Sequence, residues 1–324
     1  MALLRYHGRA LSLHSGESVL ECLERHDAAP ATSCRSGVCQ SCVMRAQRGA
    51  VPPRAQEGLK PSWKTRGLFL PCVCVPTGDL VIVDADAVES HAGRIESVQS
   101  MAPGVLRVTI AVADGPSIRR GQFVSLVRPR DGLARPYSIA DVRLGGRLEL
   151  HVAVVRHGRM SQWLRDAAGE TVHVRGPCGD CHYQADSLEQ PLLLAGTGTG
   201  LAPLLGVVRE ALESRHRGPI HLYHGSAKSS GLYLREALRE LSTRHPRVHI
   251  VGSVLEDDLG AGDVRVVALD AAIAADFPRL DGFRVYLCGA PAIVQRLKKH
   301  AFLAGASLNQ IHNDPFITAP PPTR

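Results

Sequence analysis

The chain has 324 residues and a mass of 34.8 kDa, about twice the size of an ordinary domain, so two or three domains are expected. Hydrophobic residues at 44% and charged residues at 21% exclude wholesale disorder and collagen-like repeats. The formal charge of +7 is spread evenly along the chain with no basic tail, which argues against a nucleic-acid binder and suits an acidic protein partner. The most apolar stretch, residues 191–208, is interrupted by four glycines, so no membrane span is expected. The N-terminal residues show neither a continuous apolar core nor a small-residue cleavage site, and a cytoplasmic monomer is the expectation.

The first segment, to about residue 87, opens on a loosely alternating hairpin over thirteen residues. SVLECLERH, from Ser18 to His26, has helical spacing, with Ser18 as N-cap and Glu21 three residues on. A loop of small residues and cysteines follows, and DLVIVDAD from Asp79 reads as a closing strand. From 88 to 187, short apolar runs between Gly, Pro and Asp predict a small antiparallel barrel, with one helix from Ser161 to Ala168. From 188 onward, strands such as PLLLAG, IHLYHGS, VHIVGSVL and FRVYLCG alternate with helical stretches, the pattern of a parallel sheet covered by helices. The closing TAPPPTR reads as a loose end.

Six of the nine cysteines lie in the first segment. Cys34, Cys39, Cys42 and Cys72 are spaced C-x4-C-x2-C with 29 residues to the fourth, the plant-type [2Fe–2S] pattern. Three thiolates on one loop wrap such a cluster and the fourth closes it, while Gly37 permits close backbone approach. The rival is a structural zinc site, whose ligands more often form two C-x2–4-C pairs. Cys74 competes with Cys72, but two residues apart on a strand the pair is separated by about 7 Å, so only one reaches the cluster. Cys22 falls on the apolar face of a helix and reads as a buried hydrophobe.

Further motifs follow in order: RPYS (Arg135, Pro136, Tyr137, Ser138), G-x-M-S (Gly158, Met160, Ser161), GPCGD, GTGTGLAP (Gly196, Thr197, Gly198, Thr199, Gly200 and onward), CGAP (Cys288, Gly289) and IHNDPF (with Asp314 and Phe316). Arginine suits a phosphate because its fork donates two bonds, tyrosine offers a flat face with a polar tip, and glycines admit a pyrophosphate. GTGTGLAP is not the dehydrogenase G-x-G-x-x-G fingerprint, since Leu201 stands where the third glycine would be. Cys178 and Cys181 form CGDC, read as a substitution in the GPxG turn and an incidental neighbour.

The first segment resembles plant-type ferredoxin domains, in which L-x-C followed by Gly six residues later (Leu70, Cys72, Gly78 here) marks the fourth ligand. The family's glycine after the second cysteine is Gln40 in this chain. Residues 90 to 318 resemble the ferredoxin–NADP reductase superfamily. Together they resemble the reductase components of ring-hydroxylating oxygenases.

The resemblance implies an α/β and β multidomain fold: a β-grasp ferredoxin domain (1–87), an antiparallel FAD-binding β-barrel (88–187) and a parallel α/β NAD(P)-binding domain (188–324). It implies that Arg135 pairs with a flavin phosphate, Tyr137 packs on the isoalloxazine and Ser138 bonds near N5. Gly158, Met160 and Ser161 would open a pyrophosphate-binding helix, and Cys288 would lie beside the nicotinamide. Asp314 and Phe316 match the C-terminal oxygenase-reductase motif, with His312 and Asn313 replacing its Tyr and Ala. Electrons would pass from NADH to FAD to [2Fe–2S] and on to a ferredoxin or terminal oxygenase protein. Ser226 and Lys228 leave NADPH open as donor, although the arginine common in related reductases is Ala227 here. A reductase feeding a di-iron monooxygenase directly, and a non-catalytic carrier or redox sensor, are the alternatives.

Overall fold

The computed structural model describes residues 2–30, 32, 35–37, 40–59, 61–85, 90–112, 117–260 and 262–317, the side chains of 61 and 62 excepted. The expected boundary near 87 and the tail from 318 lie outside the described residues.

Strands β1 (Leu3–Tyr6) and β2 (Arg9–Ser12) form the anticipated hairpin, turning through His7 and Gly8 at φ of 48° and 75°. Helix α1 (Val19–Arg25) starts in a full capping box: Ser18 Oγ accepts from Glu21 N, and the Glu21 carboxylate accepts from Ser18 N at 2.8 Å. Then come β3 (Met44–Arg48), α2 (Pro61–Thr65), β4 (Leu68–Phe69) and β5 (Leu80–Asp84), in the sheet order β2-β1-β5-β3-β4. The closing strand β5 runs parallel to β1 and antiparallel to β3. Leu4, Leu23, Phe69 and Leu80 fill the core, and Cys22 is fully buried among them, as its place on the helix face implied.

Strands β6 (Ser90–Ala102), β7 (Val105–Val112), β8 (Phe123–Val127), β9 (Ala134–Arg143), β10 (Arg147–Ala153) and β11 (Thr171–Cys178) close an antiparallel barrel in the order β10-β7-β6-β11-β8-β9. Alternate residues such as Val108, Ile110, Val124 and Leu126 fill its interior. Helix α3 (Arg159–Arg165) starts and stops earlier than its apolar spacing suggested. It ends at Asp166 because Ala167, 1% exposed, turns into the barrel core ahead of β11.

The third unit alternates β12 (Leu192–Thr197), α4 (Leu201–Glu213), β13 (Ile220–Lys228), α5 (Arg235–Arg244), β14 (Val248–Glu256), β15 (Arg265–Val266), α6 (Leu269–Asp276), β16 (Arg284–Gly289), α7 (Pro291–Leu303) and β17 (Ile311–Pro315). The sheet is wholly parallel, in the order β15-β14-β13-β12-β16-β17. The chain winds outward from β12 through β15 and then returns to the other side of β12. That reversal opens a crevice at the carboxyl ends of β12 and β16, where such sheets bind ligands. GTGTG follows β12 and CGAP ends β16, so both motifs line the crevice.

Helix α4 also joins this unit to the barrel. A Cβ on Gly206 would come within 2.7 Å of Gly121 N and 2.9 Å of Ile139 O, so only glycine allows the contact. Around it, Arg119 pairs with Glu210, Arg120 with Asp141 and Glu213, and Arg209 donates to Ala140 O. Among the described residues, no helix is long and apolar enough to cross a membrane.

Candidate redox site

The first centre lies at the edge of the β1–β5 sheet. Cys42 Sγ and Cys72 Sγ are 3.5 Å apart, a separation two thiolates adopt around one metal. Cys34 and Cys39 lie outside the described residues. Cys72 is half-buried on the side of Cys42, whereas Cys74 is fully buried in the other core, where burial pushes its thiol up to about 12. An inert thiol of that kind is a poor ligand. Gly37 sits at φ 81° with its Cβ position 3.2 Å from Val73.

The second centre is built on β9. Ser138 is buried, and its hydroxyl donates to Asp314 Oδ2 at 2.8 Å. Burial raises the Asp314 carboxyl to about 6, against the opposing effect of that hydrogen bond. Asp314 is the ladder partner of Cys288, and Phe316 N donates to Gly289 O at 2.7 Å. RPYS, CGAP and the C-terminal motif therefore meet at one point between the barrel and the nucleotide sheet. Tyr137 packs partly against the barrel core, and Pro136 stands beside Ser125 of β8. Arg135 donates to the carbonyl of Thr32 in the cysteine loop at 3.1 Å, so the residue expected at a flavin phosphate also touches the first unit.

The G-x-M-S residues are engaged differently from one another. Gly158 caps α3, and a Cβ there would meet Ser161 Oγ at 2.6 Å. The Met160 side chain is buried in the barrel core. Ser161 Oγ accepts from Val155 N and donates to Gly158 O, so it holds the turn. Beside this turn lies a cleft of about 650 Å³ that the linear sequence did not reveal, lined by Arg128, Arg130, Asp131, Arg159, Gln162 and Trp163. Arg128 lies 5.8 Å from the Trp163 ring centroid and pairs with Asp131 at 2.5 Å. Three arginines against one aspartate suit a phosphate-bearing group.

The third centre interlocks two glycine motifs. A Cβ on Gly200 would lie 2.6 Å from Cys288 O, and one on Gly289 would lie 2.6 Å from Thr197 O. Thr197 Oγ1 accepts from Ala290 N at 2.9 Å. Gly198, at φ 54°, has open space at its Cβ position, the kind of cradle a pyrophosphate can approach. Its carbonyl bonds to His224 Nε2 at 3.0 Å. Tyr233 packs edge-on against His224 and bonds through its hydroxyl to barrel residue His151. Nothing in the sequence marks this buried chain.

One expectation changes here. Cys181 is not incidental: it is buried with its sulfur 3.3 Å from Cys288 Sγ, because the GPCGD turn folds back on β16. His312 stands where the C-terminal oxygenase-reductase motif has Tyr. It is buried with its ring stacked on Tyr286 at 5.2 Å, and it faces Asp180 at 3.5 Å.

The chain matches the family models of the 2Fe-2S iron-sulfur cluster binding domain over residues 6–77, the oxidoreductase FAD-binding domain over 105–183 and the oxidoreductase NAD-binding domain over 194–299. It is 31% identical to the ferredoxin–NAD(P)(+) reductase component of the naphthalene 1,2-dioxygenase/salicylate 5-hydroxylase systems of Ralstonia, covering 94% of this chain and 95% of that one. The chain belongs to this family of ferredoxin/FAD/NAD(P)H reductases. The reductase is also 32% identical to the reductase subunit of an Amycolatopsis aromatic O-demethylase, covering 96% and 97% of the two chains. A crystal structure of an Amycolatopsis cytochrome P450 reductase superposes with a TM-score of 0.69 at 30% identity, covering 98% and 99%.

The reductase thus takes electrons from NAD(P)H and passes them through FAD and [2Fe–2S] to a ferredoxin or oxygenase component. The zinc and carrier-only readings fall with that membership. The Cys42–Cys72 pair, the Ser138–Asp314 junction and the Gly198 cradle are each of a form that accepts its group.

Proposed function

We propose that this reductase uses NADH to supply a ring-hydroxylating dioxygenase system, through its ferredoxin or directly to its terminal oxygenase, as a cytoplasmic monomer. The observation that carries the site assignment is the Ser138–Asp314 hydrogen bond, which joins barrel and nucleotide sheet where flavin and nicotinamide must meet. The flavin converts the two-electron donor into the single electrons a cluster accepts.

The protein's own groups then bind, orient and exclude water. Arg135, with the arginines of the Trp163 cleft, holds the phosphate end of the flavin, and Pro136 and Tyr137 support its ring system. The α3 turn of Gly158, Met160 and Ser161 shapes the wall between them. Ser138 presents its hydroxyl oxygen to the ring as an acceptor, its proton donated to Asp314. Gly196, Thr197, Gly198, Thr199 and Gly200 admit the dinucleotide phosphates, while Cys288, Gly289 and Phe316 wall in the nicotinamide. Buried Cys288 stays a neutral thiol, its pKa raised by burial and by the neighbouring Cys181. Cys34, Cys39, Cys42 and Cys72 hold the cluster.

NADH preference is supported by Lys228, the candidate partner for a 2′-phosphate, being paired with Glu256 at 3.2 Å. A phosphate would meet that carboxylate as well as the lysine. Full-length likeness to naphthalene-type reductases supports the dioxygenase destination. A second reading, supply of an O-demethylase system in place of a dioxygenase, is favoured by the likeness to the O-demethylase reductase subunit. Anaerobic titration with NADH and with NADPH, followed by mixing with a dioxygenase ferredoxin, tests the reading. Flavin and cluster bands bleaching together, faster with NADH, is the expected result; an inert cluster band or a preference for NADPH would overturn it.

A further inference from the structure

The loop that carries the first three of the four cluster cysteines touches the barrel through a residue that does not suit its own backbone. Gln40 follows Cys39 directly and sits at φ 55°, a left-handed conformation that glycine adopts freely and glutamine does not. Its side chain is tied at both ends. Gln40 Nε2 donates to Gly58 O at 2.9 Å, within the first unit, and Gln40 Oε1 accepts from Cys178 Sγ at 2.9 Å, across to the barrel. Arg135 makes the second crossing, to Thr32 O at 3.1 Å.

Cys178 is well placed to transmit position. It ends β11, where its ladder partner is Phe123, and Phe123 is in turn the ladder partner of Ser138. Two strand spacings, about 10 Å, therefore separate the thiol from the residue that addresses the flavin. Gly179, at φ 89°, brings its Cβ position to 3.0 Å from the Phe123 ring, so this end of β11 has little room to shift.

We propose that Gln40 is a positioning residue, whose bond to Cys178 holds the cluster loop in register with the flavin-bearing strands and so sets the rate at which the cluster receives its electron. The inference rests on the cluster being held by the loop that contains Cys42. The bond does not supply the electron or a proton. One electron leaves the flavin and one arrives at the cluster, and the pair fixes only their separation. A strained glutamine is retained where glycine would relax because its side chain spans the two units.

The test compares Gln40→Gly, Cys178→Ala, Cys178→Ser and the double variant Q40G/C178A as holoenzymes. Ferricyanide reduction, drawn from the flavin, stays within about twofold of the parent, while stopped-flow cluster reduction slows roughly tenfold in Q40G and C178A, as a small misplacement of reacting groups predicts. The electron paramagnetic resonance spectrum and potential of the cluster stay unchanged. Amide exchange rises in peptides covering 40–46 and 176–183, a readout independent of turnover. C178S, whose hydroxyl still donates, restores the rate, and the double variant is no slower than either single one. Unchanged cluster reduction or unchanged exchange at 176–183 in Q40G overturns the latch. A protein without cluster absorbance at all would instead overturn the ligand assignment, so the two failures are distinguishable.

Discussion

Ser138 and Asp314 are 176 positions apart in the chain, yet the serine hydroxyl donates to the aspartate carboxylate at 2.8 Å. One lies on a barrel strand, the other on the last strand of the parallel sheet. Helix α4 helps to fasten the two units, with Gly206 against Ile139 and Arg209 against Ala140. A hydroxyl fixed in this way is aimed before any cofactor arrives, so reorientation costs nothing during turnover.

Replacing Ser138 with Ala is expected to lower kcat/KM for NADH about tenfold, the scale of one hydrogen bond, because the hydroxyl proton goes to Asp314 and only its oxygen is left to accept from the flavin. Steady-state ferricyanide reduction measures it. A loss under threefold would mean that the hydroxyl does not address the flavin.

Asp314→Asn should slow turnover and stabilise the fold at neutral pH. The Asp314 carboxyl has its pKa raised to about 6 in the folded protein. Its contribution to stability is therefore full below the unfolded value near 4 and is lost as pH rises through 6. Asn removes the buried charge, and because Asp314 keeps some solvent contact the gain at pH 8 is about 1–2 kcal/mol rather than the full shift. Thermal unfolding at pH 5 and pH 8 tests the sign: the variant should gain at both, by about half as much at pH 5 as at pH 8.

His224 acts in the opposite direction. Burial holds its pKa down to about 4, against its hydrogen bond to the Gly198 carbonyl. That stability is present above the unfolded value near 6.5 and is lost as pH falls towards 4, by up to about 3 kcal/mol. His224→Gln should flatten this acid limb. His224→Ala should raise KM for NADH about tenfold with a smaller change in kcat, since it frees a loop that binds rather than reacts. A change confined to kcat would count against that role.

The two neighbouring cysteines should separate cleanly. Cys72→Ser is expected to abolish the cluster's visible absorbance. Cys74→Ser should keep it and cost about 1–3 kcal/mol of stability, because a hydroxyl then occupies a fully buried apolar site. Cluster loss in the second variant and retention in the first would reverse the assignment.

Glu256→Gln should free Lys228 and raise kcat/KM for NADPH a few-fold, the size expected of one exposed ion pair. Comparing both nucleotides in the same variant checks it, and an unchanged NADPH/NADH ratio would place the 2′-phosphate elsewhere.

The cysteine spacing, the alternation of the barrel strands and the strand–helix rhythm after residue 188 were sufficient to read three units and a [2Fe–2S] site, because each depends on local periodicity or on ligands close in sequence, while FAD and NAD(P)H followed from the family resemblance of RPYS, GTGTGLAP and CGAP. Leu70, Cys72 and Gly78 singled out Cys72 over Cys74, and the structure sets Cys72 3.5 Å from Cys42 with Cys74 in the other core. The remaining features depend on contacts between units. The pairing of Ser138 with Asp314, of Cys181 with Cys288 and of Gln40 with Cys178 joins residues 176, 107 and 138 positions apart. The chain from His151 through Tyr233 to His224 likewise crosses between barrel and sheet. No periodicity encodes such pairs, since they form only when whole sheets have packed and low-dielectric burial fixes which polar groups must face one another.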